Sequence, residues 1–238
     1  MRRGRQPPDP LAVVNAGGKP VVYGIVSTQV WDLMNSKPLT PLREGMSATR
    51  MALHPRTSLM ALNDGTVLKL PTGRLLRDRT ERDLGDAMTY STSGDLLAVA
   101  DGSGRILLYD GATTSPRGAL VGGEPDGPDG TPVAVTALAF SPDGRTLAAG
   151  TRAGGIRLWD IPSRTVIGAP LPTSGDRVRT LAFSADGQSL HIRGASTRPR
   201  TQLFTPEHLA AELCARFGSL TRGQWTTYIP DEEYRDIC

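Results

Sequence analysis

A chain of 238 residues with 38% apolar content, 27 glycines and 19 prolines suits a globular domain of short strands and tight turns, and excludes a disordered polymer. The net charge is +3, and of 27 basic residues only Lys19, Lys37 and Lys69 are lysines; the arginines are scattered at turns, without the interleaved aromatics of a nucleic-acid surface, which argues against a nucleic-acid partner. No stretch approaches the ~18–20 apolar residues of a membrane helix, and two cysteines imply no disulfide framework.

Residues 1–10, Met1-Arg2-Arg3 to Pro10, begin basic but lack the apolar segment of a secretory signal. They read as a disordered leader on a cytoplasmic protein. From residue 11 to residue 205 one phrase then returns five times. Gly18 to Gly24 leads to Val30-Trp31-Asp32, and Met51-Ala52-Leu53-His54-Pro55 runs to Val67-Leu68-Lys69-Leu70. Tyr90-Ser91-Thr92-Ser93-Gly94 runs to Tyr109-Asp110. The clearest copy is Val135 to Phe140, Ser141-Pro142-Asp143-Gly144, closing at Leu158-Trp159-Asp160. Tyr90 lies over Phe140 at an offset of 50, and Val135 lies under Val178 at an offset of 43. The copies therefore close near residues 31, 70, 109, 159 and 204.

Within a copy the apolar residues alternate, as in a strand. Val135, Ala137 and Ala139 are expected on one face, and Thr136, Leu138 and Phe140 on the other. Apolar residues on both faces suit a strand held between two neighbouring sheets. Ser-Pro-Asp-Gly is turn chemistry, because Pro pre-sets φ and Gly supplies positive φ. A complete copy yields four short strands, with first strands near 11–15, 48–53, 86–91, 134–140 and 178–184. An internal repeat of roughly 40–45 residues ending in Trp-Asp is the mark of a propeller blade. The expected fold is all-β: a partial, about five-bladed propeller with a short helical tail. Its repeat-defining positions are Trp31, Asp32, Tyr109, Asp110, Trp159 and Asp160. The last copy has no fourth strand, so an open arc is expected.

After Phe204 the period becomes helical. Thr205-Pro206 caps a first helix, and Leu209, Leu213 and Phe217 share one face up to Gly218. Thr221 with Gln224 forms a capping box, and Leu220 with Trp225 occupies the staple positions. Residues 206–238 are expected to pack on the last blade through Leu213, Phe217, Trp225 and Tyr228. Cys214 and Cys238 both lie here, and reduced thiols are the expectation inside a cell.

On these motifs the chain resembles the WD40-repeat family over roughly residues 11–205. The family's Gly-His pair ahead of the first strand is replaced by Gly175-Asp176 in the last copy. The tail, from Leu213-Cys214 through Trp225 and Tyr228-Ile229-Pro230 to Cys238, is similar to the C-terminal segment of large bacterial WD-repeat proteins from high-GC genomes. That resemblance implies a sensor or docking part of a longer or split signalling NTPase or DNA-binding protein, and a chain corresponding to the end of one.

Motifs of catalysis are missing. There is no G-x-x-x-x-G-K-[ST], no paired CxxC, no HExxH and no G-x-S-x-G. The three histidines, His54, His191 and His208, have no metal-ligand spacing. The loop Gly122 to Pro132 holds three carboxylates but not the spacing of a calcium loop, and reads as a flexible acidic insertion. The expectation is a non-enzymatic protein-interaction scaffold with an unidentified protein partner, no cofactor, no metal, no small-molecule substrate and no membrane attachment. A propeller-fold hydrolase is the enzymatic rival.

Overall fold

Each copy of the repeat becomes one antiparallel sheet. The computed structural model describes residues 11–16, 19–26, 29–32, 34–38, 48–77, 87–101, 103–112, 114–120, 131, 133–171, 173–204, 218–219, 221–228 and 233–234. The expected leader, the first tail helix, the 122–132 insertion (apart from residue 131) and both cysteines lie outside them. The first sheet holds β1 Leu11–Ala16, β2 Lys19–Val26, β3 Gln29–Asp32 and β4 Lys37–Pro38. The second holds β5 Met51–Leu53, β6 Leu59–Leu62, β7 Val67–Lys69 and β8 Arg74–Arg77. The third holds β9 Ala87–Tyr90, β10 Leu96–Ala100, β11 Ile106–Asp110 and β12 Pro116–Leu120. The fourth holds β13 Val135–Phe140, β14 Thr146–Thr151, β15 Ile156–Asp160 and β16 Thr165–Leu171. The fifth has, among the described residues, three strands, β17 Val178–Phe183, β18 Ser189–Gly194 and β19 Arg200–Leu203. Among the described residues one helix, α1 Arg222–Tyr228, follows.

Register corrects two sequence expectations. Trp159 lies across from Leu147, and the residues in the same place across from Met60 and Leu190 are Leu68 and Gln202. The second and fifth copies therefore close at 68 and 202, not 70 and 204. Alternation alone could not choose between Leu68 and Leu70, since both are apolar, buried and two apart. The first strand of the second sheet also starts later than expected. The N–H groups of Thr49 and Arg50 donate to Asn63 Oδ1 at 2.8 and 2.9 Å, so these residues cap the strand instead of joining it.

A bulge corrects a third. The β13–β14 register shifts between Val135 and Ala137, so Val135 turns to the side of Leu138 and Phe140. Ala137 and Ala139 face the opposite way. An extra residue in one strand reverses the faces on either side of it.

The seams share one pattern. Ala52 and Ala61 of the second sheet meet Tyr90, Leu97 and Val99 of the third. Ala87, Ala98 and Ala100 of the third meet Val135, Phe140 and Leu147 of the fourth. Ala137, Ala139 and Ala148 of the fourth meet Val178, Leu181, Leu190 and Ile192 of the fifth. Each seam sets a small-residue face against a large one, so the sheets approach closely. Each fully buried large side chain contributes about 1.5–3 kcal/mol. The inner strands β1, β5, β9, β13 and β17 touch in series. Among the described residues no ladder joins the first sheet to the fifth. No described helix is long and apolar enough to cross a membrane.

Candidate functional site

The polar residues that define the repeat are spent on turns. In the fourth sheet Ser141 Oγ donates to Asp143 Oδ1 at 2.6 Å and accepts the N–H of Thr146 at 2.9 Å. Ser184, Asp186 and Ser189 repeat this in the fifth. Both carboxyls are held below the usual range, first by the serine hydroxyl and then by a backbone N–H. Where the second copy has His54 in place of serine, its Nδ1 accepts the N–H groups of Arg56 and Thr57, each at 3.1 Å. The ring lies 5.1 Å from that of Tyr90 and against Gly94, and this burial holds its pKa below the usual value. Burial also pushes the Tyr90 phenol up to about 12, and its hydroxyl has no partner. Neither described histidine reaches a serine hydroxyl: His191 Nδ1 meets Thr201 Oγ1 at 3.0 Å.

The closing aspartates do the same work at the next turn. Asp32 Oδ1 accepts from the N–H groups of Met34 and Asn35 at 3.0 and 3.1 Å. Asp110 Oδ1 accepts from Ala112, and its Oδ2 meets Arg117. Asp160 Oδ2 accepts the N–H and hydroxyl of Ser163, which hold its carboxyl below the usual range. Side-chain acceptors of this kind fix the turn into the fourth strand. The second copy has Lys69 there, and Thr72 supplies the acceptor for Arg74 instead.

The aromatic partner of each pair is a wall residue. Trp159 is buried and Tyr109 half-buried. The indole N–H groups of Trp31 and Trp159 have no hydrogen-bond partner. A histidine ahead of the first strand is absent from these copies. In the fifth, Asp176 stands there, and its Oδ2 accepts from the N–H groups of Ser196 and Thr197 at 2.7 and 2.9 Å. The aspartate ties the β18–β19 loop.

In the tail, Thr221 and Gln224 close the capping box: the Thr221 N–H meets Gln224 Oε1 at 3.0 Å and the Gln224 N–H meets Thr221 Oγ1 at 3.3 Å. Trp225 is buried, with the edge of Tyr234 at 5.9 Å and Arg222 over the Tyr234 ring. Tyr228 ends the helix. Leu213 and Phe217 lie outside the described residues.

A family model, WD domain, G-beta repeat, matches residues 126–160. The chain carries a WD40 repeat. The matched segment ends with β15 and its Trp159-Asp160 pair, and the four sheets around it repeat its plan as blades of a partial WD40-type propeller. No curated protein matches the chain.

Sequence reasoning passed over one surface of this propeller. The face of the fifth blade turned away from the fourth carries Arg179, Thr180, Ala182, His191, Arg193 and Thr201, all exposed. At an offset of 43 these stand where the fourth blade has Thr136, Ala137, Ala139, Ala148, Gly150 and Leu158. Arg177, Arg179, Arg193, Arg198 and Arg200 lie within one stretch of the sequence, but the shared face emerges only once the bulge is known. Among the described residues no three His, Cys, Asp or Glu side chains gather as for a metal.

Proposed function

We propose that this chain is a non-enzymatic scaffold whose blade surfaces dock a protein partner. WD40 repeats generally mediate protein–protein interaction. The observation that carries the reading is the use of the repeat's polar groups. Ser141, Asp143, Asp160, Ser184 and Asp186 each close a turn, and each is engaged in doing so. What the blades offer outward is strand surface: β8 is exposed along its length, and β16 over most of it. Leu75, Leu76 and Ile167 are exposed on those outer strands.

The test has two arms. The full chain, used as bait in cells of its source, is expected to yield a complex that survives gel filtration and cross-links through blade residues. Hydrolase and nucleotidase panels are expected to read background. A robust activity abolished by substituting one histidine or carboxylate, such as His191→Ala, overturns the reading.

A further inference from the structure

We propose that the outward face of the fifth blade docks an extended acidic segment of a protein partner, an inference that rests on the scaffold reading and names its surface and its chemistry. Three seams of the propeller are built alike, with alanines and glycines on one blade receiving large apolar residues of the next. Small size is required there: a Cβ on Gly150 would sit 2.4 Å from Val178 Cγ1. In the fifth blade the position of Gly150 holds Arg193, that of Ala148 holds His191, and that of Ala137 holds Thr180. A further blade of the same build cannot seat on such a face. The array is capped with polar groups, as terminal repeats are. All of these residues are exposed.

The cap is not a neutral one. Arg193 pairs across the ladder with Thr180, so its neighbour Arg179 at the β17 bulge lies at the same end of the face. The homologous bulge residue, Thr136, shows where such a side chain reaches: its Oγ1 donates to Val178 O of the next blade at 2.6 Å. Neither Arg179 nor Arg193 makes an ion pair among the described residues, and the nearby Asp176 Oδ2 is engaged by Ser196 and Thr197. Two like charges side by side repel unless an anion comes between them. Guanidinium forks take carboxylates bidentately. Among the described residues β19 is the outer strand of the fifth sheet, where the other four blades have a fourth, which gives an extended segment a backbone edge to run along. Nucleic acid is the poorer fit, because the described face offers no Phe, Tyr or Trp ring for base stacking. Phe183 and Phe204 pack on each other, 6.1 Å apart, in the core against the fourth blade.

The test uses the full chain, a labelled Glu- and Asp-rich peptide of about ten residues, and a single-stranded oligonucleotide of equal length. The expected result is peptide binding that weakens as salt rises. The double variant Arg179→Glu, Arg193→Glu is expected to lose at least about tenfold in affinity, while Arg56→Glu, on a turn of the second blade, binds as the parent does. Circular dichroism and Tm of all three should coincide, since the substituted residues are exposed. Absence of peptide binding, equal binding by the double variant, or tighter binding of the oligonucleotide through the same arginines overturns the proposal. If the double variant still captures the cellular partner, the scaffold reading stands and this face is not its site. If the parent chain captures no partner at all, the scaffold reading falls, and the peptide result still decides the chemistry of the face.

Discussion

Single residues in this protein act mainly through turns and close approaches, and pH reads the turns. Asp143, Asp160, Asp176 and Asp186 all have carboxyls held below their ordinary values by hydroxyl and backbone donors. A group whose folded pKa is depressed stabilises the fold above its unfolded value and loses that contribution as pH falls through the folded one. The aspartates therefore give an acid limb that begins near pH 4. His54 obeys the same sign for a different reason: burial disfavours its charged form, so its contribution is complete above about pH 6.5 and fades below. His54→Ser keeps an acceptor for the Arg56 and Thr57 N–H groups, as Ser141 does for Thr146. It is expected to flatten Tm between about pH 7 and 5 while leaving the lower limb in place. Identical upper limbs in variant and parent would exclude His54 as the cause. Gly150 is the steric counterpart. Gly150→Ala places a methyl group on Val178 and is expected to cost about 1–3 kcal/mol in urea unfolding; an unchanged midpoint would mean the fourth and fifth blades are not packed as described.

At the scale of elements, the sequence announces turns and caps well and strand faces poorly. Ser-Pro-Asp-Gly marks the first turn of the fourth blade, and Asp160 the last, because each residue type acts locally. The capping box at Thr221 was legible for the same reason. The closing positions of the second and fifth copies were not, because Leu68 and Gln202 carry no aromatic signal. The faces of β13 were misassigned, since a bulge at Thr136 leaves no trace in alternation. The matching bulge in β17 also hid the fifth blade's outward face, whose members look unrelated until Arg179 and Thr180 are set on the same side. The helix offers a clean pair of opposite effects. Thr221→Ala removes the N-cap and is expected to destabilise α1 by about 1 kcal/mol. Gly223→Ala, with nothing within 4 Å of the added Cβ, is expected to stabilise it by about 0.5–1 kcal/mol. Hydrogen exchange of residues 222–228 reads both, and shifts of the same sign in the two variants would contradict the capped helix.

The whole molecule is a series of blades, so its stability is a sum over seams, and its solubility depends on what the ends of the series expose. Each interior blade has two seams. The third and fourth are both well enclosed: Val99, Ile106, Leu147 and Ile156 are fully buried, and the faces of each blade serve two separate clusters. The fifth blade contributes one seam and then stops, with arginine, histidine and threonine where a seam would otherwise form. A chain ending at residue 171 would lose that stop. Its last surface would be Ala137, Ala139, Ala148, Gly150 and Ile156, an apolar face shaped to receive large side chains and left with none. Exposed apolar surface of that kind drives association, and here the nearest complementary surface is the large-residue face of another copy's blade. The expectation is that the 1–171 chain aggregates, or forms concentration-dependent oligomers in light scattering. Introducing Ala137→Thr with Gly150→Arg, the residues of the fifth blade, is expected to restore its solubility in part. The cost is small at those positions because the seam they would clash with has been removed along with Val178. A 1–171 chain that stays monomeric and melts as the parent does would show that the small-residue face needs no cover, and the capping role of Thr180, His191 and Arg193 would fail with it.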